Sequence, residues 1–165
     1  MPRLYRIPFE QVLAGQPQDL VTLLLPTSVA NFKAIDIVRY WVCATDVAVP
    51  SPQMMALRLR FLPATVTPGS GGATPTPTPL DPGDSAAKCT AHTNDTSKSG
   101  TNGTAVTLDE QSCYVNTGFD SASEGQEPIP IPCNNTLQQA VVFELLNAPS
   151  GTVHLSGGLD YVERG

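Results

Sequence analysis

From Met55 to Phe61 the chain alternates without a break: Leu57, Leu59 and Phe61 fall on one side, Arg58 and Arg60 on the other. Successive side chains leave an extended backbone on opposite faces, so this period of two predicts a strand with one face in a core. The pattern recurs. Ala34–Val42 reads as a strand with Ile35 and Ile37 inward and Asp36 outward, and Tyr40 and Trp41 add β propensity within it. At the end of the chain Val153, Leu155, Gly157, Leu159 and Tyr161 share one face, and His154, Ser156 and Asp160 share the other. Ala140–Leu146 is a continuous apolar run suited to a strand covered on both faces. Leu4–Phe9 and Leu20–Leu25 add two more strands.

Helix signals are sparse. Phe9, Val12 and Leu13 are spaced for one turn that Gly15 and Pro17 stop, and Leu137–Ala140 could start another before merging into the Val141 strand. Many short strands between Gly/Pro turns predict an all-β fold, a jelly-roll-like antiparallel β-sandwich formed by residues 1–165 as a single domain.

The middle of the chain departs from this pattern. Six prolines and four glycines lie between Pro63 and Gly83. Pro75, Pro77 and Pro79 alternate with threonine, which favours a polyproline II path, and Gly69–Gly72 reads as a flexible hinge beside that rod. Residues 63–86 are therefore expected to form a Pro/Gly-rich arm inserted in the sandwich, either a disordered loop or an arm that docks on a neighbour. After it, Ala87–Asn94 alternates weakly, Ala105–Leu108 and Cys113–Asn116 read as separate short strands, and Gly118–Gln126 as a loop. Pro128–Pro132 has a proline at every second place, so it must be an edge strand or a strap. Pro75, Pro77, Pro79, Leu80, Ile129 and Ile131 are the candidate assembly contacts.

Charge narrows the partners. Nine Lys and Arg against fifteen Asp and Glu give a net charge of −6, and the basic residues form no stripe, which argues against nucleic acid. Charged residues make up only 15% of the chain. Neutral polar surface of this kind tolerates dense packing against neighbours. Leu20–Leu25 is far too short to cross a membrane, and the N-terminus shows no apolar leader, so folding in a cytosol is expected. Cys43, Cys89, Cys113 and Cys133 are read as reduced thiols; if a bridge forms, Cys113–Cys133 is the best pairing.

No chemical site emerges. His92 and His154 lie in no metal-ligand spacing and read as solvated. Leu80-Asp-Pro-Gly-Asp84 reads as a turn in which Pro82 fixes φ and Gly83 supplies a positive φ, in preference to a calcium or acid/base pair. Asn94-Asp-Thr, Asn102-Gly-Thr and Asn134-Asn-Thr match a glycosylation sequon but read as turn chemistry. No catalytic residue, cofactor or metal is assigned, and the expectation is a non-enzymatic protein that works by surface and assembly.

Some segments carry a resemblance. Pro2–Phe9, Gln18–Leu23, Ala34–Val42, Met55–Phe61, Gly69–Ala87 and the closing Gly151-Thr-Val-His-Leu-Ser-Gly-Gly-Leu-Asp-Tyr-Val-Glu resemble small structural proteins of tailed bacteriophages, and through them the jelly-roll head decoration, or cement, proteins. Thr74–Ala87 is the most specific part; Cys113–Thr136 departs from the pattern. The resemblance implies a virion protein on the outer surface of the phage head, present in the host cytoplasm during assembly. It would bind the major capsid protein, associate with itself as a homotrimer, and hold the shell against internal pressure. A tail- or fibre-associated β-sandwich module, with carbohydrate as its candidate ligand, is the alternative. Placing Trp41 and Tyr40 in a buried strand weighs against a sugar site.

Overall fold

The computed structural model describes residues 3–14, 18–45, 52–122, 125–147, 149–150 and 152–165. Within them the chain forms thirteen strands and no helix. They are β1 (Arg3–Ala14), β2 (Gln18–Leu24), β3 (Ala34–Ala44), β4 (Met54–Leu62), β5 (Val66–Thr67), β6 (Thr78–Pro79), β7 (Thr90–Asp95), β8 (Gly100–Thr101), β9 (Val106–Tyr114), β10 (Phe119–Asp120), β11 (Ile129–Pro132), β12 (Ala140–Leu145) and β13 (Thr152–Arg164).

All pairings are antiparallel, and the order identifies the architecture. One sheet runs β10–β3–β13–β1–β6, with β11 also on β3; the other runs β7–β2–β12–β4–β9. The chain alternates between the sheets through β1, β2, β3 and β4, stays in the second sheet for β9, and alternates again through β10/β11, β12 and β13. The last two return between the first four. That winding is the jelly roll.

The core lies between the sheets. Tyr5, Ile7, Phe9, Ile35, Ile37, Tyr40, Leu155, Leu159 and Tyr161 face Leu20, Val21, Leu23, Met55, Leu57, Leu59, Val141, Phe143 and Leu145, all buried. The alternations of β4 and β13 hold as expected, and β12 is the central strand of its sheet, buried at every position. The helical turn expected around Val12 is absent, because β1 continues in register with β13 as far as Ala14–Thr152. Gly15 and Pro17 lie outside the described residues. Leu137 belongs to a turn closed by its N–H donating to Asn134 O (3.1 Å), with no helix after it.

Two expected strands are one. Val106–Tyr114 is continuous because β4 supplies a partner along its length, including the polar Asp109–Ser112 stretch. Ile129–Pro132 is an edge strand as expected, pairing with β3 alone.

The Pro/Gly segment is folded down on its own domain. It belongs to the long β4–β9 connection, and that connection serves three edges and faces. Val66 and Thr67 pair with Thr101 and Gly100. Val66 also joins Leu24, Leu62, Ala140 and Val142 in a second apolar cluster on the outer face of the β2–β12–β4 sheet. Ser70 bridges to Ser97 and Ala73 to Thr93, capping β7; Thr78 and Pro79 pair with Arg6 and Tyr5, capping β1. The expected hinge is a close-packing site: a Cβ on Gly72 would lie 2.0 Å from Thr93 O, so glycine there is what lets two backbones meet. A flexible surface loop could not seal sheet edges in this way; this strap does.

Candidate functional site

The polar sites named from sequence resolve into structure. Asp81-Pro-Gly-Asp84 is a turn, closed by Asp84 N–H donating to Asp81 O (3.0 Å) and Gly83 N–H donating to Asp81 Oδ1 (2.9 Å). Gly83 is not among the glycines with positive φ; the Asp81 side chain makes the turn instead. Asn134 Oδ1 accepts from Thr136 N–H (3.0 Å) and its hydroxyl, so that sequon sits in local turn chemistry; Asn94 instead lies within β7 at a φ of 63°, and its Nδ2 donates to Glu10 O (2.7 Å). His154 is exposed on the outer face of β13. His92 is half-buried, with Nδ1 3.6 Å from Asp95 Oδ2. The four cysteines are free. Among the described residues no group of three or more His, Cys, Asp or Glu is placed to hold a metal ion.

Charge is buried on one face. Asp95, Asp19, Glu144, Arg58 and Glu110 form a row across the five strands of the β7–β2–β12–β4–β9 sheet. Glu144 is fully buried and accepts from Arg58 Nε (2.6 Å) and Lys98 Nζ (2.8 Å), with Arg60 Nε at 3.3 Å. Asp19 Oδ2 accepts from Ser99 N–H (2.6 Å), and Ser99 Oγ accepts from Gly69 N–H (3.1 Å). Burial pushes the Asp19 carboxyl up, and the Ser99 bonds and Arg60 oppose it. This network fastens the strap to the sheet; within it Asp19 Oδ1 is buried without a hydrogen bond, 3.7 Å from Arg60 Nη2.

Two surfaces remain available. The first is β9. Among the described residues it pairs with β4 alone, so its other side is a sheet edge. Tyr114 is 54% exposed beside its ladder partner Met54 (45%), and Val106 is 48% exposed. On the inner side of this edge Asp109 accepts from Tyr40 Oη, Gln126 Nε2 (3.1 Å) and Gln111 Nε2 (3.0 Å). Burial pushes its carboxyl up, but these hydrogen bonds outweigh it and hold it below the usual range.

The second is the outer face of the β3–β13–β1 sheet. Val38 has no partner in the β3–β13 ladder: Asp160 pairs with Arg39, and Tyr161 with Ile37. This bulge shifts the phase of β3, turning Tyr40 into the core and Trp41 outward. The placement of Trp41 in a buried position is therefore corrected. Strict alternation from Ile35 and Ile37 would have turned Arg39 inward with Trp41, and that charged residue is the one sign in the sequence of the extra residue. The indole rests on Gly158, where a Cβ would lie 2.7 Å from Trp41 Cη2. The Arg6 and Arg39 guanidiniums lie 5.1 and 4.6 Å from the ring centroid. Each is fixed by two bonds to a carboxylate: Arg6 to Asp160 (2.8 and 2.8 Å), Arg39 to Asp120 (3.0 and 2.6 Å). The Arg39 bonds hold the Asp120 carboxyl below its ordinary range.

The six contacts named from sequence do not form one patch. Leu80 is 42% exposed, Pro75, Pro79 and Ile129 are half-buried, and Pro77 and Ile131 are buried in their own domain. Sequence reasoning did not single out Tyr114, Met54 or Val106; the only signal was an apolar residue at each end of a polar strand. No family model, curated protein or solved structure matches the chain.

Proposed function

We propose that this chain is a non-enzymatic structural protein of a tailed-phage particle, a head decoration or cement protein. It binds between major capsid subunits as a homotrimer on the outer surface of the head, after folding in the host cytoplasm, and stabilises the shell. The observation that carries this reading is the contrast between edges. Short strands, prolines and the strap pair with part of the β1, β3 and β7 edges, while among the described residues nine-residue β9 pairs with nothing beyond β4 and is flanked by Tyr114, Met54 and Val106. An open edge with apolar neighbours is a template for pairing with another chain. Leu80 on the strap adds a second exposed apolar contact. Repetition by symmetry would multiply weak contacts of this kind into a firm attachment.

The test is the protein's copy number in purified particles, with the heat resistance of heads that lack it. Copies on the order of hundreds and earlier bursting of deficient heads are expected, since a symmetric shell repeats each site many times. Equal heat resistance would sink the reading. Tyr114→Lys should release the protein from heads without unfolding it.

The outward placement of Trp41 favours a second reading, a tail- or fibre-associated module that binds carbohydrate. A handful of copies per particle would favour that location over the head.

A further inference from the structure

We infer that the outer face of the β3–β13–β1 sheet carries a binding site for a neutral pyranose ring, with the Trp41 indole as its wall. The inference deepens the carbohydrate reading above and rests on it only for biological setting, because binding is measured on the isolated protein.

Two hollows flank the indole. One, of ≈ 420 Å³, is bounded by Pro8, Phe9, Glu10, Trp41, Ser156 and Gly157. The other, of ≈ 480 Å³, is bounded by Trp41, Cys43, Thr117, Gly118, Phe119 and Asp120 among others. Each joins the aromatic wall to hydrogen-bonding groups: Glu10 and Ser156 on one side, Thr117 and Asp120 on the other. A sugar ring needs this combination, an apolar C–H face against an aromatic surface and acceptors or donors around its rim.

The wall is held in advance. Gly158 beneath the ring, the bulge at Val38 and the two arginines fix its position, so a ligand meets little ordering cost at the tryptophan. This explains a cost otherwise without return. An indole turned toward solvent between two hollows is supported by a glycine in a central strand, where glycine weakens a sheet.

The charges select the ligand class. Arg6 and Arg39 are each held by two bonds to Asp160 and Asp120, and Glu10 lies on the rim. The local field offers a phosphate, sulfate or carboxylate no unneutralised cation, and the chain carries −6 overall. A neutral glycan fits; an anionic one or a nucleic acid does not.

Trp41 is the only tryptophan in the chain, so its emission reports on the site alone. The full-length protein is screened against immobilised neutral and acidic oligosaccharides, and hits are titrated by tryptophan fluorescence. Expected are a neutral oligosaccharide that shifts the Trp41 emission, and a loss of affinity of roughly tenfold or more in Trp41→Ala. That variant is checked for folding by circular dichroism. Ser156→Phe, which fills the first hollow and keeps the indole, should weaken binding of the same sugar if that hollow is used; Thr117→Phe tests the second. Overturning results are no oligosaccharide that binds, preference for acidic glycans, or hits whose affinity all three variants leave unchanged.

Discussion

Trp41 and Gly158 are ladder partners on β3 and β13, and the indole of one occupies the space that a side chain on the other would fill. A Cβ at position 158 would meet Trp41 Cη2 at 2.7 Å and the Ile7 carbonyl oxygen at 2.7 Å. The ring can swing away; the carbonyl belongs to the β1 backbone and cannot. Gly158→Ala should therefore cost about 1–3 kcal/mol of stability, as overpacking does. The lifted indole should emit at longer wavelength. Thermal melts and tryptophan emission spectra check both.

Glu144 is the anionic centre of the buried charge row, with Arg58, Arg60 and Lys98 around it. Glu144→Ala leaves three cations without their shared partner. Because Arg58 and Lys98 reach water, the cost should fall near the low end of the range for breaking a buried pair, about 3 kcal/mol. For a chain of this size that is a drop of roughly 6–12 °C in Tm. Glu144→Gln, which keeps the acceptor oxygen, should cost less. Differential scanning calorimetry orders the two.

Asp95 is 1% exposed, with only the Gly72 N–H and His92 Nδ1, 3.6 Å away, near its carboxylate. Burial pushes its carboxyl up, opposed by His92. A carboxyl whose folded pKa exceeds the unfolded value of about 3.9 binds its proton more tightly when folded, so its contribution to stability falls as pH rises through that window. Asp95→Asn should raise Tm near pH 7. The gain should shrink toward about pH 4, where the natural residue becomes protonated. Melts across that range decide the matter; a gain independent of pH would contradict it.

The strap depends on Gly72 passing close to β7. Gly72→Ala places a methyl 2.0 Å from Thr93 O and should break the Ala73–Thr93 pairing, whose N–H···O bonds are both 2.9 Å. Hydrogen exchange at Ala73 and Thr93 should accelerate. The uncovered β7 edge should also promote association on size exclusion, as unprotected edges do.

Three of the four thiols, Cys43, Cys113 and Cys89, should react in order of exposure. Cys43 is exposed and should be modified first. Burial pushes Cys113 up to about 11 and Cys89 well above its ordinary value, with Glu163 adding to the latter. The thiolate is the nucleophile, so Cys113 should react slowly and Cys89 only on unfolding. Iodoacetamide labelling followed by peptide mass mapping gives the order.

Periodicity made much of the sandwich legible. Leu57 and Leu59, or Leu155 and Leu159, announce an inward face because a side chain's face depends only on its own strand's parity. The proline spacing in Ile129–Pro132 announced an edge strand for an equally local reason, a missing N–H donor. The candidate surfaces were less legible. Tyr114 and Met54 are distant in sequence and meet only through the β4–β9 register, and Trp41 turned outward through a bulge at Val38 that the period-two reading of Ala34–Val42 passes over.

By itself, then, the sequence determined that this chain is a β-sandwich, most of the residues that fill its core, and several of its turns, since each follows from the local stereochemistry of an extended backbone. Tertiary structure alone decided the rest. The winding of β12 and β13 between earlier strands, the turn of the Pro/Gly segment back onto its own edges, and the β9 edge left without a partner among the described residues all depend on pairings between distant strands. Such pairings are selected by the collective burial of both sheets, and a single strand's pattern carries no record of its partner.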